Sequence, residues 1–278
     1  MSQKPVWGVP PENPAPLYDT PDASVPNETH SPIRLRDAAF VVILYIGGQL
    51  IAAALYLFVV GFYWGFRQDR DVAAHVQAAQ TSSAFLVFTI VFSIVLVALF
   101  ARRVARRSGM GWRALGFVRP QRYWFAFAFA AFVLVNAVAF GLEYLAGPDV
   151  AKRAEQTMDI FVAGDEFYIW PMVALVAVIV PFFEEIVFRA ILFRALSNRL
   201  PLIVAGAVAI AVFGVVHLQY LMSGLDVAVL MMTEIALIGG VLIWLYQASR
   251  SIWPSVFLHV LNNSWVMAIL FMRAAMPA

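Results

Sequence analysis

The chain has 278 residues, of which 62% are hydrophobic and 13% charged, whereas a soluble domain is nearer half apolar and a quarter charged. That balance excludes an ordinary soluble globular protein. The net charge of +2 gives no nucleic-acid footprint, and the absence of cysteine excludes a thiol nucleophile, a disulfide framework and a Cys-ligated metal. The first 32 residues hold eight prolines and little apolar content, so 1–33 reads as a disordered polar tail. It has no charged n-region followed by a short apolar core and a small-residue cleavage site. The first span is therefore expected to act as an uncleaved insertion signal.

Apolar runs then predict seven membrane helices, at about 38–63, 82–101, 123–146, 169–196, 201–220, 227–247 and 252–272. The runs are too long for barrel strands and lack alternation. The fold class expected is an all-α polytopic helix bundle. It divides into the tail 1–33, N-terminal spans with an arginine-rich loop over 34–124, and a core over 125–278.

Seven arginines, Arg102, Arg103, Arg106, Arg107, Arg113, Arg119 and Arg122, crowd the segment between the second and third spans. Such crowding marks a cytoplasmic loop. Counting spans from there puts Arg34, Arg36, Arg194, Arg199 and Arg250 on the same side. Arg67, Arg70, Lys152, Arg153 and Arg273 fall outside. The expected protein lies in the cell (plasma or inner) membrane with its N-terminus in the cytoplasm. A further re-entrant or interfacial helix fits 102–122 or 148–168, and the arginine-rich loop suits an anionic lipid surface. Gly47-Gly48 and Gly239-Gly240 suit close helix packing.

Ionisable groups at membrane depth are costly and are functional suspects. The fourth span carries Glu184-Glu185 and Arg189. Glu185 and Arg189 are four residues apart and can pair on one helix face; Glu184 lies about 100° around and is left available. The fifth span carries Phe213 and His217. Glu184 and His217 flank a tight turn near Asn198–Pro201 and both lie roughly 20–25 Å from it, so they can meet at one depth. The seventh carries His259 and Asn263, four apart on one face, although His259 is only about seven residues into its span and so shallower than Glu184. Helix-to-helix hydrogen bonding is the bland alternative for each group. Glu234 is a candidate for supporting the site. Glu143, Asn136 and Gln49 read as packing or interfacial groups, and His75 as a solvated loop residue.

Glu184-Glu185-x-x-x-Arg189, Phe213-x-x-x-His217 and His259-x-x-x-Asn263, in this order, resemble the motifs of the CAAX protease and bacteriocin-processing family. This group of intramembrane proteases includes the type II CAAX prenyl endopeptidases. The resemblance covers roughly 125–272. It implies a helical intramembrane fold with a cavity and hydrolysis of a peptide bond in a membrane-associated peptide or lipidated protein, with prenylated CAAX-type substrates and other peptides both open. It also implies Glu184 as the base activating water, with His217 holding or polarising that water. His259 and Asn263 would stabilise the oxyanion, and Glu185, Arg189 and Phe213 would brace the site. Elementary chemistry agrees, because preformed donors act more strongly where bulk water is excluded.

The family has been described as metalloproteases, and Glu184, His217 and His259 would make a two-His, one-carboxylate zinc set. The chain has no His-Glu-x-x-His helix, so metal-free glutamate catalysis is preferred and zinc is the alternative. The competing functions are a proton-coupled transporter, which also uses intramembrane Glu and His, and a non-catalytic scaffold or immunity protein of the same fold. No Gly-x-Ser-x-Gly is present for serine chemistry.

Overall fold

A computed structural model describes residues 33–159 and 166–275. Of the expected tail, all but the buried Ile33 lies outside the described residues. Nine helical runs are described: α1 (Leu35–Phe66), α2 (Val72–Gln80), α3 (Ser83–Arg107), α4 (Tyr123–Ala146), α5 (Pro148–Met158), α6 (166–197), α7 (Leu202–Val215), α8 (Leu225–Ser249) and α9 (Trp253–Ala275). No strand occurs among the described residues. Six of these helices, α1, α3, α4, α6, α8 and α9, are long and apolar enough to cross a membrane. In hydrocarbon every backbone polar group needs an internal partner, which a helix supplies by itself.

Two expectations change. The span predicted over 201–220 is the 14-residue α7, about 21 Å long and short of the roughly 30 Å bilayer core. The apolar run continues, but its last part is a 3-10 segment, Leu218–Ser223, that leads back to α8 through Gly224 at φ +118°. Hydropathy cannot see that change of conformation. The loop assigned to His75 is helical: His75 sits on α2, stacks on Trp64 at 3.7 Å and lies 3.4 Å from Asp69. The Asp71 backbone N–H, and then His75, hold the Asp69 carboxyl below its ordinary range.

The fold is centred on α6. Every residue from Glu184 to Leu196 is buried, and the apolar ones form one cluster with Ala38, Val41 and Tyr45 of α1, Val97, Ala101 and Val104 of α3, and Phe213 of α7. A 3-10 turn, Gly111–Leu115, covers the C-terminal end of α6. Arg194, expected at the cytoplasmic end of the fourth span, is buried and donates to the Ala114 carbonyl. The turn is locked to the α8–α9 connection: the Ile252 N–H donates to the Gly116 carbonyl at 2.9 Å, and Ser251 Oγ to the Val118 carbonyl at 2.7 Å. Gly116 is required there, since its φ is +83° and a Cβ would lie 2.8 Å from the Tyr246 ring. This cover explains how the deep Glu184 and the shallow His259 share a level, because α6 continues past Glu184 into protein rather than into water.

The α1–α3 contact also bears on the site. At Gly48 a Cβ would meet Ser93 Cα at 3.3 Å, so the two backbones approach closely. Ser93 Oγ donates to the Tyr45 carbonyl at 2.7 Å. The Gly239 pair likewise lets α8 approach α7, with Ile210 and Phe213 within 3.6 Å of a notional Cβ.

Candidate active site

Helix α6 is not uniform. Leu175–Ile179 and Glu185–Phe193 are wide π turns, a feature often found where helices carry function. Each begins four residues after a proline, Pro171 and Pro181. In the first, the Val180 N–H bonds to the Leu175 carbonyl. The next donor in that pattern would be residue 181, and proline has none. The Val176 carbonyl therefore lacks its helical donor. Asn263 Nδ2 of α9 donates to it at 3.1 Å.

The two carboxylates meet one imidazole. His259 Nδ1 lies 2.8 Å from Glu185 Oε1, and Nε2 lies 3.5 Å from Glu184 Oε2. A carboxylate can only accept, so Nδ1–H donates to Glu185. Nε2 and Glu184 Oε2 are then two acceptors facing each other unless one carries a proton. Glu185 Oε1 also lies 3.0 Å from Arg189 Nη1, the i,i+4 pair expected. Glu184, expected to be left available beside the histidines, lies by His259; Glu185, expected to pair with Arg189 alone, also reaches His259, so both glutamates converge on one imidazole. Relative exposures of 5% for Glu184, 0% for Glu185, 1% for Arg189 and 4% for His259 place the whole relay out of solvent.

Glu184 has a further partner that sequence reasoning missed. The Tyr45 hydroxyl of α1 donates to Glu184 Oε1 at 2.6 Å. A tyrosine in an apolar span is ordinary, so only its depth relative to Glu184 would have flagged it. Tyr45 sits edge-on to Phe188, with ring centroids 5.8 Å apart, and Ser93 fixes its backbone.

Phe213 is the hub of the remaining contacts. The Arg189 guanidinium lies 4.6 Å from its centroid, a cation–π distance. The His217 ring is 4.9 Å away and the His259 ring 6.1 Å. His217 lies just beyond the end of α7, at the start of the 3-10 segment. Its Nδ1 is 2.9 Å from the Phe213 carbonyl; a carbonyl only accepts, so the neutral ring keeps its Nε2 lone pair free to accept. No hydrogen bond or ion pair joins His217 to Glu184 among the described residues.

Glu184, His217 and His259 are the residues that would hold zinc. Both His259 nitrogens face carboxylates, His217 Nδ1 faces a carbonyl, and no three His, Cys, Asp or Glu among the described residues are placed to hold a metal ion.

The other polar groups stand apart. Asn136 Nδ2 bonds to the Phe132 carbonyl at 2.9 Å and to Asn262 Oδ1 at 3.3 Å, tying α4 to α9. Glu234 carries a buried Oε1 without a hydrogen-bond partner. Burial, and then Glu234, push the Tyr220 hydroxyl up to about 12, so it stays a neutral phenol.

Residues 166–265 match the model of the Rce1-like family, described as type II CAAX prenyl endopeptidase Rce1-like. The resemblance to the CAAX proteases holds. The match spans α6 to α9 as far as Trp265, and so includes Glu184, Glu185, Arg189, Phe213, His217, His259 and Asn263; Tyr45 lies outside it. The chain is also 27% identical, over 235 residues, to a Bacillus subtilis (strain 168) protein whose provisional name is membrane peptidase YdiL, a match covering 82% of this chain and 86% of that protein. No solved structure matches it. With the apolar helices, these matches support an integral-membrane protease.

Proposed function

We propose that the chain hydrolyses a peptide bond in a membrane-associated peptide or lipidated protein, with Glu184 as the base and no metal. The observation that carries this reading is the buried relay in which Tyr45 holds one oxygen of Glu184 while His259, fixed by Glu185, faces the other. Glu184 takes a proton from water, and the water oxygen bonds to the substrate carbonyl carbon. His217 Nε2 accepts the second water hydrogen and so orients the attacking lone pair. The tetrahedral oxyanion receives hydrogen bonds from the second N–H of Asn263 and from His259 Nε2–H, whose positive charge Glu185 balances. When the C–N bond breaks, Glu184 passes its proton to the departing amine.

The family description supports a prenylated CAAX-type substrate, and the arginine-rich 102–122 segment supports a cytoplasmic N-terminus in the cell membrane. A buried base contributes about 10²- to 10⁴-fold to rate. In proteoliposomes bearing a farnesylated, membrane-anchored peptide, wild type cuts near the anchor, and Glu184→Gln, with an unchanged melting temperature, loses at least that factor. Full cleavage by Glu184→Gln sinks the mechanism. Activity survives a chelator on this reading; loss in chelator and recovery with zinc overturns the metal-free route. Trapping on Glu184→Gln in native membranes identifies the peptide.

A further inference from the structure

From Phe88 to its C-terminal end, α3 presents one continuous lipid-facing stripe that the protease site does not use. Phe88, Val91, Val95 and Leu99 are exposed, at 39%, 42%, 49% and 60%. Arg102, Arg103 and Arg106 follow on the same face, since steps of three and four residues return to one side of a helix. All three are exposed, while Ala101, Val104 and Ala105 fill the opposite, buried face. Arg107 is engaged by Asp37 of α1, its Nη1 donating to Oδ1 at 3.0 Å. Arg102, Arg103 and Arg106 have no carboxylate within ion-pair distance among the described residues. Leu99 and the four arginines line an open cleft of about 570 Å³.

Three uncompensated guanidinium groups at the end of an apolar span call for an anion. The apolar stripe running directly into them calls for that anion to carry a hydrocarbon tail. Guanidinium binds phosphate oxygens through paired N–H donors, and spacings of one and four residues let more than one reach a single phosphate. We propose that this face binds the phosphodiester headgroup of an anionic phospholipid, with an acyl chain lying along Phe88, Val91, Val95 and Leu99. A soluble phosphate would have no use for the stripe.

The test is a binding measurement, independent of peptidase activity. Full-length protein is placed in phosphatidylcholine nanodiscs, and occupancy by labelled phosphatidylglycerol is compared with that by labelled phosphatidylcholine. Two triple variants are compared: Arg102→Gln/Arg103→Gln/Arg106→Gln on the face, and Arg113→Gln/Arg119→Gln/Arg122→Gln elsewhere in the same basic segment. Wild type is expected to prefer phosphatidylglycerol. The first triple weakens that binding by about 10-fold or more, given the known gain per arginine at an anionic surface. The second changes it less than about 2-fold, and excess inorganic phosphate leaves it in place. Equal weakening in both triples would mean a diffuse positive field and overturns the site. So would the absence of any preference between the lipids, or full displacement by inorganic phosphate. All six residues are exposed, and an unchanged melting temperature certifies the fold of each variant.

Discussion

On the proposed mechanism the two adjacent glutamates do different work, and stability separates them. Glu185 is the counter-ion of Arg189, whose Nε and Nη1 lie buried without hydrogen bonds. Removing one partner of a buried ion pair leaves the other charge uncompensated, at about 3–5 kcal/mol. Glu185→Gln is therefore expected to lower the melting temperature in detergent sharply, while Glu184→Gln leaves it nearly unchanged and removes turnover. Equal melting temperatures for the two variants would refute the division. On the same proposal Tyr45, whose hydroxyl bonds to Glu184, acts through it as a positioning residue. A hydrogen bond to a charged group is worth about 1.5–3 kcal/mol, so Tyr45→Phe is expected to reduce kcat by about 10- to 100-fold with KM unchanged. It also shifts the infrared carboxylate stretch of isotope-labelled Glu184, a band that loss of packing alone leaves in place. A rise in KM at constant kcat and an unmoved band would assign Tyr45 to packing.

At the scale of elements, Pro181 sets the geometry of α6. Its missing N–H frees the Val176 carbonyl, and that carbonyl anchors Asn263. Pro181→Ala supplies the donor and lets the turn tighten towards an α-helix, withdrawing the acceptor that fixes Asn263. Asn263→Ala and Pro181→Ala then remove one arrangement by two routes. Their effects on kcat/KM are expected to be strongly non-additive in a double-mutant cycle, each alone costing about 10-fold or more. Additive losses would separate the proline from the asparagine. The two prolines were legible as residues; the π turns were not, because hydropathy carries no record of i→i+5 bonding. For the same reason the apolar run over 201–220 read as one span, while the chain folds it into the short α7 and a 3-10 segment. His217 was legible as an intramembrane polar group, but its place beyond a helix end was not. Glu184, Glu185, Arg189, His259 and Asn263 stood out because charge and amide in an apolar run are costly and rare. Tyr45 did not, since an aromatic residue in a span costs nothing and needs no explanation.

At the scale of the whole molecule, the boundary expected between 34–124 and 125–278 runs through the site's support. The family match begins at residue 166, yet Glu184 takes a hydrogen bond from α1, and the buried face of α6 packs on Ala38, Val41 and Tyr45 as well as on α3. The 3-10 turn that covers α6 also belongs to the N-terminal half, through the Arg194–Ala114 and Ile252–Gly116 bonds. Cutting the chain at residue 122 keeps every motif of the resemblance but strips one wall from α6 and the donor from Glu184. Residues 123–278 produced alone in membranes are therefore expected to be inactive on a substrate that the full chain cuts. Co-expression with residues 1–122 is expected to restore cleavage, because the contacts between the halves are apolar packing and short hydrogen bonds that re-form within a bilayer. Restoration should fail when the N-terminal fragment carries Tyr45→Phe together with Gly48→Leu, which pushes α1 away from Ser93. Turnover by residues 123–278 at the full chain's rate would show that the N-terminal helices are an accessory domain and that α6 holds its relay without them.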